Sequence, residues 1–128
     1  MKSLVIIPTY NERANIIPLI RNILKQGRGI EVLVVDDNSP DGTADAVRSE
    51  WGGRTRVSLL RRSGKLGLGT AHIAGFRWAL GRNYDRVITM DADFSHPPEC
   101  IPALLERSGG CEVVLGSRYV EGGGWENW

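Results

Sequence analysis

The sequence predicts an α/β protein, three layers deep, with helices on both faces of a mainly parallel sheet. Three observations predict it. Several short runs of Val, Ile and Leu contain no polar residue, as expected of strands buried on both faces. Stretches with helical spacing of apolar residues lie between those runs, so strand and helix alternate. The polar and acidic residues gather just after the strand-like runs, on the rim where sheets of this kind bind ligands.

Leu4-Val5-Ile6-Ile7 is the first strand, and Pro8-Thr9-Tyr10-Asn11-Glu12 ends it. A helix follows with Ile16, Ile17, Leu19, Ile20, Ile23 and Leu24 on one stripe. Pro18 is expected in its first turn, where a missing N–H costs little. Gly27 and Gly29 are expected to close it. The second strand runs from Glu31 to Val35 and stops at Asp36-Asp37-Asn38-Ser39-Pro40-Asp41-Gly42, a loop of turn formers. Thr43 or Asp41 can cap a helix reaching Trp51, broken by Gly52-Gly53. Val57-Ser58-Leu59-Leu60 is the third strand. A basic, glycine-rich loop from Arg61 to Gly69 precedes a helix from Thr70 to Leu80, in which Phe76 and Trp78 read as packing. Asp85 to Met90 is the fourth strand, Pro98 to Arg107 a helix, and Val113-Val114-Leu115 the fifth strand, ending at Gly116-Ser117-Arg118-Tyr119.

With 128 residues the chain is one domain or part of one. Apolar content of 41% and charged content of 24% are ordinary for a globular chain. A net charge of +1 gives no electrostatic case for nucleic acid as a partner. Met1-Lys2-Ser3 leads straight into a strand, so no signal peptide is expected. No apolar run approaches the ~20 residues of a membrane-spanning helix. Cys100 and Cys111 lack metal-ligand spacing and read as reduced structural thiols of a cytosolic protein. Trp125 and Trp128 lie in a glycine-rich tail and look like the start of something packed, so the natural domain is expected to extend further.

Chemistry concentrates at Met90-Asp91-Ala92-Asp93-Phe94-Ser95-His96-Pro97-Pro98. Asp91 and Asp93 are two residues apart at a strand end, so both carboxylates can point into one cleft. Their mutual repulsion is relieved by a shared cation. Mg²⁺ is typically held by one or two carboxylates plus substrate phosphates, which suggests a metal–diphosphate site. The plainer reading is that carboxylates are common in turns after strands. Asp36 and Asp37 read equally as turn formers and helix caps, and Glu12 as a first-turn charge favoured by the helix dipole. Lys65 invites a phosphate role. Its Gly-x-x-Gly-x-Gly context has neither the Walker nor the dinucleotide spacing, so a flexible lid is the alternative. His72 and His96 read as solvent-facing or hydrogen-bonded residues rather than catalysts.

In these motifs the chain resembles family 2 glycosyltransferases of the GT-A fold, and among them the polyprenol-phosphate (dolichol-phosphate) mannose synthases. The matching segments are Ile7-Pro8-Thr9-Tyr10-Asn11-Glu12, Val34 through Thr43, Gly64 through Ala71, Met90 through Pro98 and Gly116-Ser117-Arg118-Tyr119, in the family's order. The resemblance implies that residues 1–128 are the nucleotide-sugar-binding part of a GT-A domain. It implies Pro8, Tyr10, Glu12 and Asp37 in the nucleotide pocket, with Asp37 at the base. Asp91 and Asp93 would hold Mg²⁺ or Mn²⁺, Asp93 directly. Ser95 stands where some relatives carry a Gln that reaches the metal, and a hydroxyl is a shorter and poorer ligand. Lys65 and Arg118 would face phosphates. The implied donor is GDP-mannose and the implied acceptor a polyprenyl phosphate, whose ionised oxygen needs little from a general base. Inversion at the anomeric carbon is implied too, as is a place at the cytoplasmic face of a membrane, reached through a further C-terminal segment or a membrane-protein partner.

Three other readings stand against this one. A UDP-sugar donor is the alternative within the family. A phospho-receiver domain suits the length, but the Asp pair follows the second strand, not the first. A receiver also needs a lysine after its last strands, and the lysines here are Lys2, Lys25 and Lys65. A sugar nucleotidyltransferase would want a glycine-rich, basic loop where Pro8-Thr9-Tyr10-Asn11-Glu12 stands.

Overall fold

The computed structural model describes residues 2–52, 56–63, 68–92, 98–102 and 113–115, with the backbone alone at Leu68, Cys100 and 113–115. The elements are β1 (Ser3–Thr9), α1 (Arg13–Lys25), β2 (Ile30–Asp36), α2 (Thr43–Trp51), β3 (Val57–Arg61), α3 (Leu68–Leu80), β4 (Arg86–Thr89), a 3₁₀ turn (Pro98–Cys100) and β5 (Val113–Leu115). The strands form one sheet in the order β3-β2-β1-β4-β5, and every pairing is parallel.

The order explains the layers. The connections β1-α1-β2 and β2-α2-β3 step outward from β1 in one direction. The connection through α3 returns to the other side of β1. Crossovers of one hand place a helix on opposite faces when the direction of travel reverses. Val5 and Ile7 of β1, with Val32 and Val34 of β2, therefore meet Ile16, Leu19, Ile20 and Ile23 of α1, Val47 of α2 and Ile101. Leu4 and Ile6, with Leu33 and Val35, face Ala71 and Ala79 of α3. All four apolar residues of β1 are fully buried, which is why that run carries no polar residue. Each such side chain contributes roughly 1.5–3 kcal/mol.

The helix boundaries differ from the sequence reading in instructive ways. Pro18 is the sixth residue of α1, not a first-turn residue. The helix starts earlier because its first amides are held from outside, as described below. Pro18 and Ala14 are both exposed, so the carbonyl that lacks the proline's N–H faces water. The far end of α1 is closed by Arg56 rather than by glycine alone. Its guanidinium donates to the carbonyls of Leu24 (3.0 Å), Gly27 (2.8 Å) and Ile30 (3.1 Å), a cation placed where the helix dipole favours one. α3 begins two residues before the expected Thr70. β4 is assigned four residues, yet Asp85 N–H to the Lys2 carbonyl and Met90 N–H to the Ile6 carbonyl (3.0 Å) extend its ladder at both ends. The expected helix after Pro98 is seen as the 3₁₀ turn and the helical Ile101 and Pro102; its remainder lies outside the described residues. No helix among the described residues is long and apolar enough to cross a membrane.

Helix α3 lies close on β1 at Gly75, where a Cβ would stand 2.7 Å from the Ile6 Cγ2. Ile6 is fully buried and β-branched, so it has little room to give. Gly75→Ala should therefore lower stability by about 1–3 kcal/mol in urea titrations through overpacking, although alanine favours a helix by roughly 1 kcal/mol over glycine. Unchanged or raised stability would mean that α3 does not approach β1 this closely.

Candidate functional site

The strand order reverses between β1 and β4, and ligands of parallel sheets bind outside the carboxyl ends at such a point. Pro8 marks the opening. Alternate residues of a strand address opposite neighbours, and the β1–β4 register ends at Ile6↔Thr89 while β1–β2 continues to Thr9↔Asp36. Ile6 accepts from Met90 on the β4 side and Thr9 accepts from Asp37 on the β2 side. Pro8 thus faces β4 two residues past the last pairing, where its missing N–H leaves no gap in the ladder.

Beyond Pro8 the chain turns sharply, with Asn11 in the left-handed region at φ 57°. The corner is held from the neighbouring loop. The amide of Asn11 donates to Ser39 Oγ (2.9 Å), that of Glu12 to Thr43 Oγ1 (3.0 Å) and that of Arg13 to Asp41 Oδ2 (3.1 Å). Three successive amides at the mouth of α1 are thus capped by side chains about thirty positions away. Asp41 also accepts from the Thr43 amide at 3.0 Å and from the Thr43 hydroxyl, so one carboxylate serves the starts of both α1 and α2. The N-cap of α2 is therefore neither expected residue but Gly42, which has no side chain to cap with: Asp41, one place earlier, takes the first amide of α2, and Thr43, the first residue of α2, serves the Glu12 amide at the start of α1. Gly42 takes φ 86°, and a Cβ there would come within 2.9 Å of Arg13 Nη1. Burial alone would push the Asp41 carboxyl up. The Thr43 hydroxyl, the Arg13 and Thr43 amides and the Arg13 charge outweigh burial and hold it below its ordinary value.

Asp36 and Asp37 part company. Asp36 is fully buried and accepts from Thr9 Oγ1 (2.7 Å), Ser39 Oγ (2.6 Å) and the Ser39 amide (3.0 Å), tying the ends of β1 and β2. It caps no helix. Asp37, also buried, is gripped by Arg62 at the end of β3, Nε to Oδ1 at 2.6 Å and Nη2 to Oδ2 at 2.9 Å. The same guanidinium reaches Thr70 Oγ1 on α3 at 3.0 Å. The bond to Asp37 raises Arg62 above its ordinary value, against the pull of burial. Arg62 was not singled out from sequence. The signal was the register Asp36↔Arg61, which sets the next residue of β3 beside Asp37.

Tyr10 stands on the rim with 38% of its surface exposed. Glu12 is the N-cap residue of α1, one place before the first turn where the charge reading put it, and its side chain makes no cap bond; its carboxylate accepts instead from Asn15 Nδ2 (3.2 Å). Asp91 follows β4 and is half-buried on the same rim. Burial holds His72 of α3 below its ordinary value, and the Asp91 charge offsets only part of that shift. Asp93, Ser95, Lys65, His96 and Arg118 lie outside the described residues. No group of three or more His, Cys, Asp or Glu among the described residues could hold a metal ion unaided. A hard oxygen ligand such as Asp91 fits a Mg²⁺ or Mn²⁺ that takes its other ligands from phosphate and water.

A five-stranded parallel sheet with an acidic rim at its switch point defines a doubly wound α/β protein. The Glycosyl transferase family 2 profile matches residues 4–128, and the chain belongs to that family. It is 49% identical over its whole length to an undecaprenyl-phosphate mannosyltransferase from Micrococcus luteus, covering 53% of that protein. It is 47% identical to a dolichol-phosphate mannosyltransferase from Pyrococcus furiosus, again over all of this chain and 36% of the relative. A mannosyltransferase from Pyrobaculum calidifontis, solved in complex with GDP-Man and Mn²⁺, superposes with a TM-score of 0.66 at 32% identity, covering 80% of this chain and 30% of that one. The fold is that of GT-A glycosyltransferases, and the chain spans about half or less of these relatives.

Two outcomes test this geometry. Arg62→Ala should cost about 3–5 kcal/mol in equilibrium unfolding, because it leaves the buried Asp37 charge without its partner; a loss below 1 kcal/mol would mean the pair is solvated. Asp41 contributes stability above its ordinary value of 3.8 that is lost as pH falls through its lower folded value. Asp41→Asn should therefore lower stability at pH 6 and flatten its decline between pH 5 and pH 2.5, as read by urea titration at each pH; a parent-like slope would refute the linkage.

Proposed function

We propose that residues 1–128 are the nucleotide-sugar-binding part of a metal-dependent, inverting glycosyltransferase that moves mannose from GDP-mannose to a polyprenyl phosphate. The observation that carries this reading is the position of Asp91 at the end of β4, across the switch point from the corner that bears Tyr10 and Asp37. The names of the relatives support the sugar and the acceptor, and the neighbour solved with GDP-Man and Mn²⁺ supports the donor and the cation.

In this reading Pro8, Tyr10, Glu12 and Asp37 line the nucleotide pocket. Asp91 and Asp93 hold the cation, with Ser95 beside them. A bound Mg²⁺ or Mn²⁺ supplies Lewis-acid stabilisation of the departing diphosphate. Lys65 and Arg118 add positive charge there. An acceptor phosphate oxygen attacks C1 of the sugar, the bond from C1 to the diphosphate oxygen breaks, and GDP leaves with that electron pair. The attacking oxygen is already ionised, so no side chain has to take a proton. The same reading has the reaction run at the cytoplasmic face of a membrane, where a polyprenyl phosphate acceptor would be met.

The test is thermal stability with GDP, UDP or acetyl phosphate, each with and without Mn²⁺. Free ligand at a hundred times its Kd stabilises by about 2.7 kcal/mol. A shift with GDP plus Mn²⁺, lost in Asp91→Ala and in Asp93→Ala, is the expected result. A preference for UDP would overturn the mannose reading, and a response to acetyl phosphate alone would point to a phospho-receiver.

A further inference from the structure

Ser39 belongs to the loop after β2 and has no role in the chemistry above, yet it occupies the junction of the rim. It is nearly buried. Its hydroxyl donates to Asp36 Oδ1 at 2.6 Å and accepts from the Asn11 amide at 2.9 Å. A hydroxyl has one proton. With that proton committed to a fully buried carboxylate, the oxygen's lone pairs are aimed in a fixed direction, and the Asn11 N–H meets one of them. Asp36 is itself fixed by Thr9 Oγ1 and by the Ser39 amide. The chain of bonds runs from Thr9 through Asp36 and Ser39 to Asn11, and so closes a ring around the residue between Thr9 and Asn11, which is Tyr10. The other end of the ring is anchored to Asp37, whose amide donates to the Thr9 carbonyl at 3.1 Å.

We propose that Ser39 is a positioning residue of the donor site: its hydroxyl, oriented by buried Asp36, sets the left-handed turn at Asn11 and thereby the place of Tyr10 relative to Asp37. The inference rests on the donor reading above and adds to it a residue that touches no substrate. Thr9 and Asp36 serve the same ring, but they also stitch the two strands together, so removing either one alters the sheet. Ser39 lies in the loop and can be changed with less damage.

The experiment compares the parent with Ser39→Ala and Ser39→Thr, the second of which keeps the hydroxyl. Calorimetric binding of GDP with Mn²⁺ is measured at a temperature where all three are fully folded, and amide hydrogen exchange is measured without nucleotide. Ser39→Ala should weaken GDP–Mn²⁺ binding about tenfold and speed exchange at Asn11, and Ser39→Thr should restore both. A purely stabilising role would lower the melting temperature and leave the binding constant where it was, which would overturn the proposal. Unchanged exchange at Asn11 would overturn it as well. A parent that binds no GDP removes the donor reading and this inference together, whereas a parent that binds and a Ser39→Ala that binds equally removes the inference alone.

Discussion

The carboxylate of Asp41 lies where two helices begin, and much of the rim follows from that. It accepts from the Arg13 amide of α1 and from the Thr43 amide of α2. Helix N-termini are ready-made sites for anions, because their first amides lack partners and the helix dipole adds to the attraction. Here an internal anion holds that seat, and Ser39 and Thr43 engage the adjacent amides of Asn11 and Glu12. A dinucleotide-binding sheet of similar topology offers its first helix to a pyrophosphate. This one has turned the same amides into a latch between two loops. In the proposed reading the negative charge of a diphosphate must be met elsewhere on the rim, and the acids after β4 become intelligible as the holders of a cation.

The latch also explains the shape of the opening. The pairing of β1 with β4 ends before Pro8, which therefore leaves no broken hydrogen bond, and the chain turns beyond it through Asn11 in the left-handed region. Gly42 supplies the matching bend in the second loop, against the Arg13 side chain. These are local departures from regular structure, and each is fixed by contacts that span the two loops. Such strain persists where the surroundings over-determine it.

Much of the fold was legible because the strands are simple. Leu4 to Ile7 and Val32 to Val35 are buried on both faces, so periodicity could not mislead there. Val113 to Leu115 falls where the apolar run places it. Pro18 was misplaced because the rule that keeps proline in the first turn assumes that a helix starts by its own local signals, and α1 starts on Ser39, Asp41 and Thr43. For the site, the rim was readable as a set of strand ends, but not how its members divide. Asp36 and Asp37 are adjacent in sequence and alike in chemistry. Alternation along a strand end sends one into the sheet junction and the other toward Arg62, and only the partner strand's register reveals which. Side chains that act across the sheet leave no mark in a single stretch of sequence.

That division gives the two ends of the rim different electrostatic character. At the end of β2 the acid is matched by a guanidinium, both side chains are largely buried, and a third bond ties the cation to α3. A matched, rigid pair presents directed lone pairs and N–H groups with little net charge, which suits the flat polar edge of a base. At the end of β4, Asp91 is more exposed, and its charge acts on the imidazole of His72. An acid in that setting attracts a mobile cation rather than a neutral edge. The proposed donor has the same polarity along its length, an uncharged base at one end and a doubly charged diphosphate at the other. In the proposed reading the base of that donor lies toward the Asp37–Arg62 pair and its diphosphate toward Asp91.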